Sequence, residues 1–314
     1  MKNVLVVFYS QSGQLAGIVD VMTEPLRAAG INVHYEVLRP EPAFSFPWRL
    51  SGFLDAFPES VWLDPRPIKP LEAPEVKGGY DLVILAWTVW FLSPSQPVAA
   101  FLLGDDGRRV LADKPVVSVV ACRNMWLSAF DTVKDLVQRA GGRLVDHVAL
   151  TDDGSALATF VTTPRWMLTG RRDRFLGLPP AGVDAVQVAG VARFGVALAH
   201  ALGRDEEKTG RPMLQGLRAV KVPRHLLLSE RAGRRAFQVW SGLLRFFGRA
   251  GQWRRFPMLL LFLLYLVVMI MTVVPLSLAL QKLAAPLLER RLAALARHYE
   301  LPSGTGDERM NGHE

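Results

Sequence analysis

Val4–Phe8 is an unbroken and mostly β-branched apolar run, the pattern of a strand buried on both faces of a parallel sheet. Ser10, Gln11, Ser12 and Gly13 break the run, and Leu15, Ile18, Val19, Met22 and Leu26 then recur at helical spacing towards Gly30. The alternation repeats down the chain. Further strands are predicted over Ile31–Leu38, Tyr80–Trp87, Val116–Ala121 and Arg143–Leu150. Helices are predicted near Val98–Leu103, over Leu127–Ala140 and over Val183–Leu202. Strands and helices in this order predict an α/β fold, a doubly wound five-stranded parallel sheet covered on both faces. No internal repeat is visible.

This domain, residues 1–203, carries two insertions. Residues 39–79 are rich in Pro and aromatics (Phe44, Phe46, Trp48, Phe53, Phe57, Trp62) and too long for an ordinary connection. They read as a functional lid or a surface-docked insertion. Residues 160–182 mix Arg165, Arg171, Arg172 and Arg174 with Trp166, Met167, Leu168, Phe175 and Leu176. This reads either as a loop for a lipid headgroup, an acyl-carrier protein or an anionic substrate, or as a solvated loop of snorkelling arginines.

The remainder changes character. Residues 204–255 begin as a polar linker and continue as a basic juxtamembrane segment. There Ala236, Val239, Trp240, Leu243, Leu244 and Phe247 form an apolar stripe among Arg231, Arg234, Arg235, Arg245 and Arg249. That pattern suits a C-terminal amphipathic helix on an anionic membrane surface. Residues 256–281 read as one transmembrane or deeply inserted helix, since Phe256–Leu280 holds 25 positions without a charge. At about 1.5 Å per residue this covers a hydrocarbon core of ~30 Å. Residues 282–314 read as a charged helix over Leu283–Tyr299 and a disordered tail. That helix returns to the starting face if the element is monotopic.

Charge sharpens the division. The net charge is +8, split between a front half to Phe160 with 14 basic and 18 acidic residues and a back half with 23 and 11. The basic half aims at something anionic, and the apolar span makes that a membrane rather than nucleic acid. Six basic residues and no acid lie over Ala232–Arg255. The positive-inside tendency therefore places the α/β domain on the cytoplasmic face of the inner membrane. One cysteine, Cys122, excludes an intramolecular disulfide. The first strand starts within a few residues, so no signal peptide is expected.

In open α/β sheets ligands sit beyond the carboxyl ends of the strands, at the switch point. Three exits carry unusual chemistry. The first strand leaves through Ser10, Gln11, Ser12, Gly13, Gln14 and Leu15. There hydroxyls, free backbone N–H groups and a helix N-terminus can hold a phosphate, or Ser12 can serve as a plain N-cap. The third leaves through Trp87, Thr88, Val89, Trp90 and Phe91, and the fourth through Arg123, Asn124, Met125 and Trp126. A phosphate cradle beside two aromatic loops fits a flat, conjugated, phosphorylated cofactor, although each tryptophan can equally be core. His34, His147 and Asp152 lie near strand ends without an evident catalytic role. No His/Cys/carboxylate cluster has metal-ligand spacing, and no GxGxxG follows the first strand.

The YSQSGQL turn resembles the phosphate loop of flavodoxin-like FMN-binding proteins over about Lys2–Leu202, with Ser10, Ser12 and Gly13 matching and Leu15 replacing a hydroxyl. TVWFLSPSQPVAAFL, CRNMW and Thr162–Trp166 resemble a narrower branch known as dialkylresorcinol condensing enzymes. The resemblance implies bound FMN and dehydrogenation of a lipophilic cyclic dione to an aromatic resorcinol, in dialkylresorcinol or aryl-polyene-type lipid biosynthesis. Condensation itself would need a nucleophilic Cys with basic partners. A ketosynthase or acyl-carrier protein and a second copy of the chain are the macromolecular partners considered. The alternatives are an NAD(P)H:quinone reductase at the membrane and a cofactor-free membrane scaffold for a ketosynthase.

Overall fold

The structure, a computed structural model, describes residues 1–152, 154–273, 276 and 289–310. The chain runs β1 (Asn3–Phe8), α1 (Gln14–Ala28), β2 (Asn32–Val37), α2 (Leu50–Asp55), α3 (Phe57–Trp62) and β3 (Leu82–Trp87). A two-residue hairpin, β4 (Val89–Trp90) and β5 (Ser93–Pro94), leads into α4 (Gln96–Leu103) and α5 (Asp105–Leu111). Then come β6 (Pro115–Cys122), α6 (Leu127–Arg139), β7 (Arg143–Thr151), α7 (Ala156–Thr169), α8 (Ala185–Gly190) and α9 (Ala192–Gly203). The C-terminal part holds α10 (Leu227–Phe247) and α11 (Phe256–Val268), and residues 289–300 are helical.

Five parallel strands form one sheet in the order β2-β1-β3-β6-β7. Counting these strands alone, the order is 2-1-3-4-5, that of the flavodoxin-like doubly wound fold, which confirms the expected fold class. The unbroken apolar runs are the central strands: Val4–Val7 and Leu82–Trp87 are buried on both faces. The helical spacing of α1 is equally literal, with Leu15, Ile18, Val19, Met22 and Leu26 on its buried side. α9 presses on α1 so closely that a Cβ at Gly195 would lie 2.0 Å from the Met22 carbonyl oxygen.

Several expectations are corrected. Residues 160–182 are not a loop throughout, because α7 runs to Thr169. Its arginines are largely spent internally. Arg165 pairs with Asp173 at 2.9 Å, and Arg172 donates to the carbonyls of Ala181 and Val183. Past residue 204 the chain is not a free linker. Met213, Leu214, Leu217, Ala219 and Val220 are buried in the main core, and the Ala149 N–H of β7 donates to the Ala219 carbonyl at 2.9 Å. The exposed edge of the sheet is thereby covered. The tail up to residue 310 is ordered on the domain: Ser303 is buried and donates to Asp146, and Arg309 donates to the Met213 carbonyl. The predicted apolar span is described to residue 273 and at 276, and the rest of it lies outside the described residues.

Among the described residues two helices are long and apolar enough to cross a membrane. Ala185–Gly203 is the cover of the sheet beside α1, whereas Trp253–Val273 is buried over only 11% of its apolar stretch. A second core of Leu54, Phe57, Leu244, Leu259 and Phe262 joins α10 and α11 to the first insertion.

Candidate functional site

The β1–α1 turn is the open end of the sheet. Gly13 stands before the helix at φ +84°, a left-handed conformation that costs glycine little, and a Cβ there would meet nothing within 4 Å. Ser10 Oγ accepts from the Ala16 N–H at 3.1 Å and the Gly17 N–H donates to Gly13 O. Among the described residues the N–H groups of Ser12, Gly13, Gln14 and Leu15 have no partner, and neither has the Ser12 hydroxyl. Ser12 is therefore not a helix cap here. Several unpaired donors thus lie at the positive end of α1 beside open space at Gly13, as an oxyanion site requires. Leu15, where a hydroxyl was expected from the resemblance, faces the core.

Gln11 and Gln14 tie this turn to the insertions. Gln11 Nε2 donates to Ser45 O at 3.0 Å while its Oε1 accepts from Trp48 Nε1 at 2.9 Å. Gln14 exchanges two bonds with Val183, at 2.9 and 3.2 Å. The Trp48 N–H donates to Met167 O at 2.8 Å, so the two insertions meet over the carboxyl edge of the sheet. They form a roof.

The third-strand exit is filled. Trp90 packs edge-on against Tyr9, Phe44 and Trp48 with ring centroids 4.9–6.0 Å apart. Phe91 turns the other way, onto Phe53 and Phe57. Thr88 and Val89 are half-buried, and the Thr88 carbonyl accepts from the Ser95 N–H. Trp87 and Trp126, expected at the rim, are core side chains instead. Trp87 is fully buried and donates to Ser118 Oγ at 2.8 Å. Trp126 is buried against Phe130, His147 and Tyr299. The alternating pleat aims the Trp87 side chain into the sheet's cover, which its place at a strand exit did not reveal.

At the fourth-strand exit Asn124 and Met125 are half-buried, and Arg123 donates to Thr159 Oγ1 at 2.7 Å with its guanidinium 3.9 Å from the Phe160 ring. Burial lowers its pKa to about 10 against the opposing pull of Asp152. Burial, with Glu230 and Asp152 nearby, pushes the Cys122 thiol far up, so it is no nucleophile. His147 lies within β7, stacked on Phe130, and burial lowers its pKa to about 3. Asp152 is buried and accepts the N–H groups of Gly154 and Gly182, each at 2.7 Å. His34 packs edge-on against Tyr80. None of these is a free base poised at the turn. Phe44 and Trp48, which the sequence marks only through the aromatic density of residues 39–79, belong to this region as well.

A cavity of about 350 Å³ opens between the exits of β1 and β2, with Tyr9, Ser10 and Gln11 on one wall and Arg39 and Lys69 on the other. FMN can be tested against this geometry. The turn fits its phosphate, with open space and unpaired donors; the flat ring has no ready slot, because Phe44 and Trp48 cover the Trp90 side.

No family model matches the chain, and no curated protein matches it. Among solved structures it is similar to a flavoprotein in complex with FMN from Lactobacillus acidophilus, at 15% identity over 48% of this chain and 93% of that one, TM-score 0.37. A flavodoxin from the domain Archaea is similar at 7% identity over 64% and 99%, TM-score 0.36. A flavone reductase is similar at 11% identity over 65% and 64%, TM-score 0.36. At these values they add no weight to the strand order, on which the fold class rests.

Proposed function

We propose that this chain is a membrane-associated, FMN-dependent oxidoreductase. The observation that carries the reading is the uncharged β1–α1 turn, whose Ser12, Gly13, Gln14 and Leu15 N–H groups stand unpaired at the carboxyl edge of a 2-1-3-4-5 sheet. These groups and the Ser12 hydroxyl would hold the FMN phosphate. The Trp90 loop and the Arg123–Met125 loop would flank the ring once Phe44 and Trp48 move aside. Bound there, FMN supplies two-electron hydride chemistry. The chain's part is to grip the phosphate through neutral donors. The resemblance of YSQSGQL, CRNMW and their neighbours extends the proposal to oxidative aromatisation of a lipophilic cyclic dione in dialkylresorcinol-type lipid biosynthesis. A membrane location, with the domain in the cytoplasm, suits such a substrate, and the basic flank before α11 supports that orientation.

The packed Trp90, Phe44 and Trp48 rings favour one second reading, a cofactor-free scaffold that docks a ketosynthase on the membrane. Purification in detergent separates the two. A yellow protein releasing FMN by mass supports the flavoprotein, and a colourless protein that takes up no added FMN overturns it. Ser12→Asp, which places a negative charge at the phosphate position, is expected to abolish flavin uptake with an unchanged thermal transition. Retained flavin would refute the site.

A further inference from the structure

We infer that the apolar C-terminal segment leaves and rejoins the domain on the same membrane face, and that the α10–α11 surface beside it docks on anionic lipid. This rests on the membrane reading above and settles its topology. The two ends of the segment carry the argument. At the near end Arg255 is fully buried; it forms a two-point ion pair with Glu59 (2.8 and 2.7 Å) and donates to Asp55 O at 2.6 Å. Phe262 then stacks on Phe57 with centroids 4.1 Å apart, and Tyr265 lies on Trp240 at 5.0 Å. At the far end Ala296 is fully buried, and Tyr299 and His298 both bond the Asp131 carboxylate, at 2.9 and 2.8 Å. Ser303 reaches Asp146 and the His147 N–H in the core.

Both ends thus belong to one folded domain. A folded domain cannot lie on two sides of a bilayer, so the chain crosses the membrane an even number of times between them.

The exposed surface agrees. On α10 and α11 the outward residues include Val239, Phe246, Leu264 and Met271, each more than 60% exposed, with Trp253 at 78% between the helices. Arg235, Arg249 and Arg254 are exposed beside them and make no ion pair among the described residues. An apolar face with unpaired arginines around it complements anionic headgroups over acyl chains. The flanking charge also balances. Arg290, Arg291 and Arg297 follow the segment, so a same-face arrangement keeps them on one side with the basic residues before it, whereas a single span would divide them.

The test uses the full-length chain in a Cys122→Ala background, with Ala250→Cys before the segment or Ala294→Cys after it, both at exposed positions. A membrane-impermeant maleimide is applied to right-side-out and inverted vesicles. Labelling of both positions from the same side is expected, and labelling from opposite sides would overturn the same-face placement while leaving membrane anchorage intact. In parallel the unaltered chain should float with vesicles containing phosphatidylglycerol. With Arg235→Glu, Arg249→Glu and Arg254→Glu combined, partitioning should weaken at least tenfold. A chain that floats with neither anionic nor neutral vesicles would overturn the membrane reading and the same-face placement with it.

Discussion

Strand β3 and helix α11 are both unbroken apolar runs, yet folding treats them in opposite ways. Every residue of Leu82–Trp87 is buried, whereas in Phe256–Val268 only Leu259 and Phe262 are. The cause is what each run can be covered by. A central parallel strand has helices on both faces and partners on both edges. A helix laid on the flank of a domain buries one stripe, here against Phe57 and Leu244, and leaves the rest to another solvent. Hydrophobicity alone says that a segment avoids water; its neighbours say whether protein or lipid replaces it.

The largest expected effect tests the joint between the two regions. Arg255→Ala leaves Glu59 and Asp55 facing each other without their cation, and is expected to cost about 3–5 kcal/mol in denaturant unfolding of the detergent-solubilised chain. A change under about 1 kcal/mol would mean that α11 is not docked as described. Next comes a paired comparison within α11. Phe262→Ala removes the ring stacked on Phe57 and should cost about 3 kcal/mol. Leu264→Ala, on the exposed side, should stay within ~0.5 kcal/mol yet weaken vesicle binding. Equal stability losses for the two would erase the distinction between a packed and a lipid-facing stripe.

A third test concerns Glu230, which α10 buries beside the start of α6, accepting the Ser128 N–H at 2.6 Å. Burial raises its pKa from 4.5 to about 7. The folded chain therefore holds this proton more tightly than the unfolded chain does. Its contribution to stability is full below about 4.5 and is lost as pH rises to about 7. Glu230→Gln keeps an acceptor for Ser128 and should raise stability at pH 8 by on the order of 2 kcal/mol, with little change at pH 4. Equal shifts at both pH values would show that Glu230 is not held protonated by its burial. Asp146, raised to about 6 by burial, should leave a residual slope of the same sign.

The candidate site divides along similar lines. The donor-rich turn was legible because it is local: Ser10 to Leu15 are consecutive, and a break between a buried strand and a helix must expose N–H groups. The walls were not legible, because they come from residues distant in sequence. Trp48 reaches Gln11 across the first insertion, and Asp152 reaches Gly182 past α7. Trp87 and Trp126 show the converse. They stand at strand exits in sequence, but the pleat and the packing of Tyr299 turn them into core.

The residue pattern by itself determined the strands of the main sheet, the face of α1, the α/β class and the existence of a long water-avoiding segment, since each depends on periodicity within a few residues. Only the tertiary structure decided that residues 204–226 cover the sheet edge, that the first insertion both roofs the turn and grips α11, and that both ends of the apolar segment rest on one domain. Those outcomes depend on buried ion pairs and ring contacts between residues up to some two hundred positions apart, such as Arg255 and Glu59. No local pattern encodes which distant partner a side chain will meet.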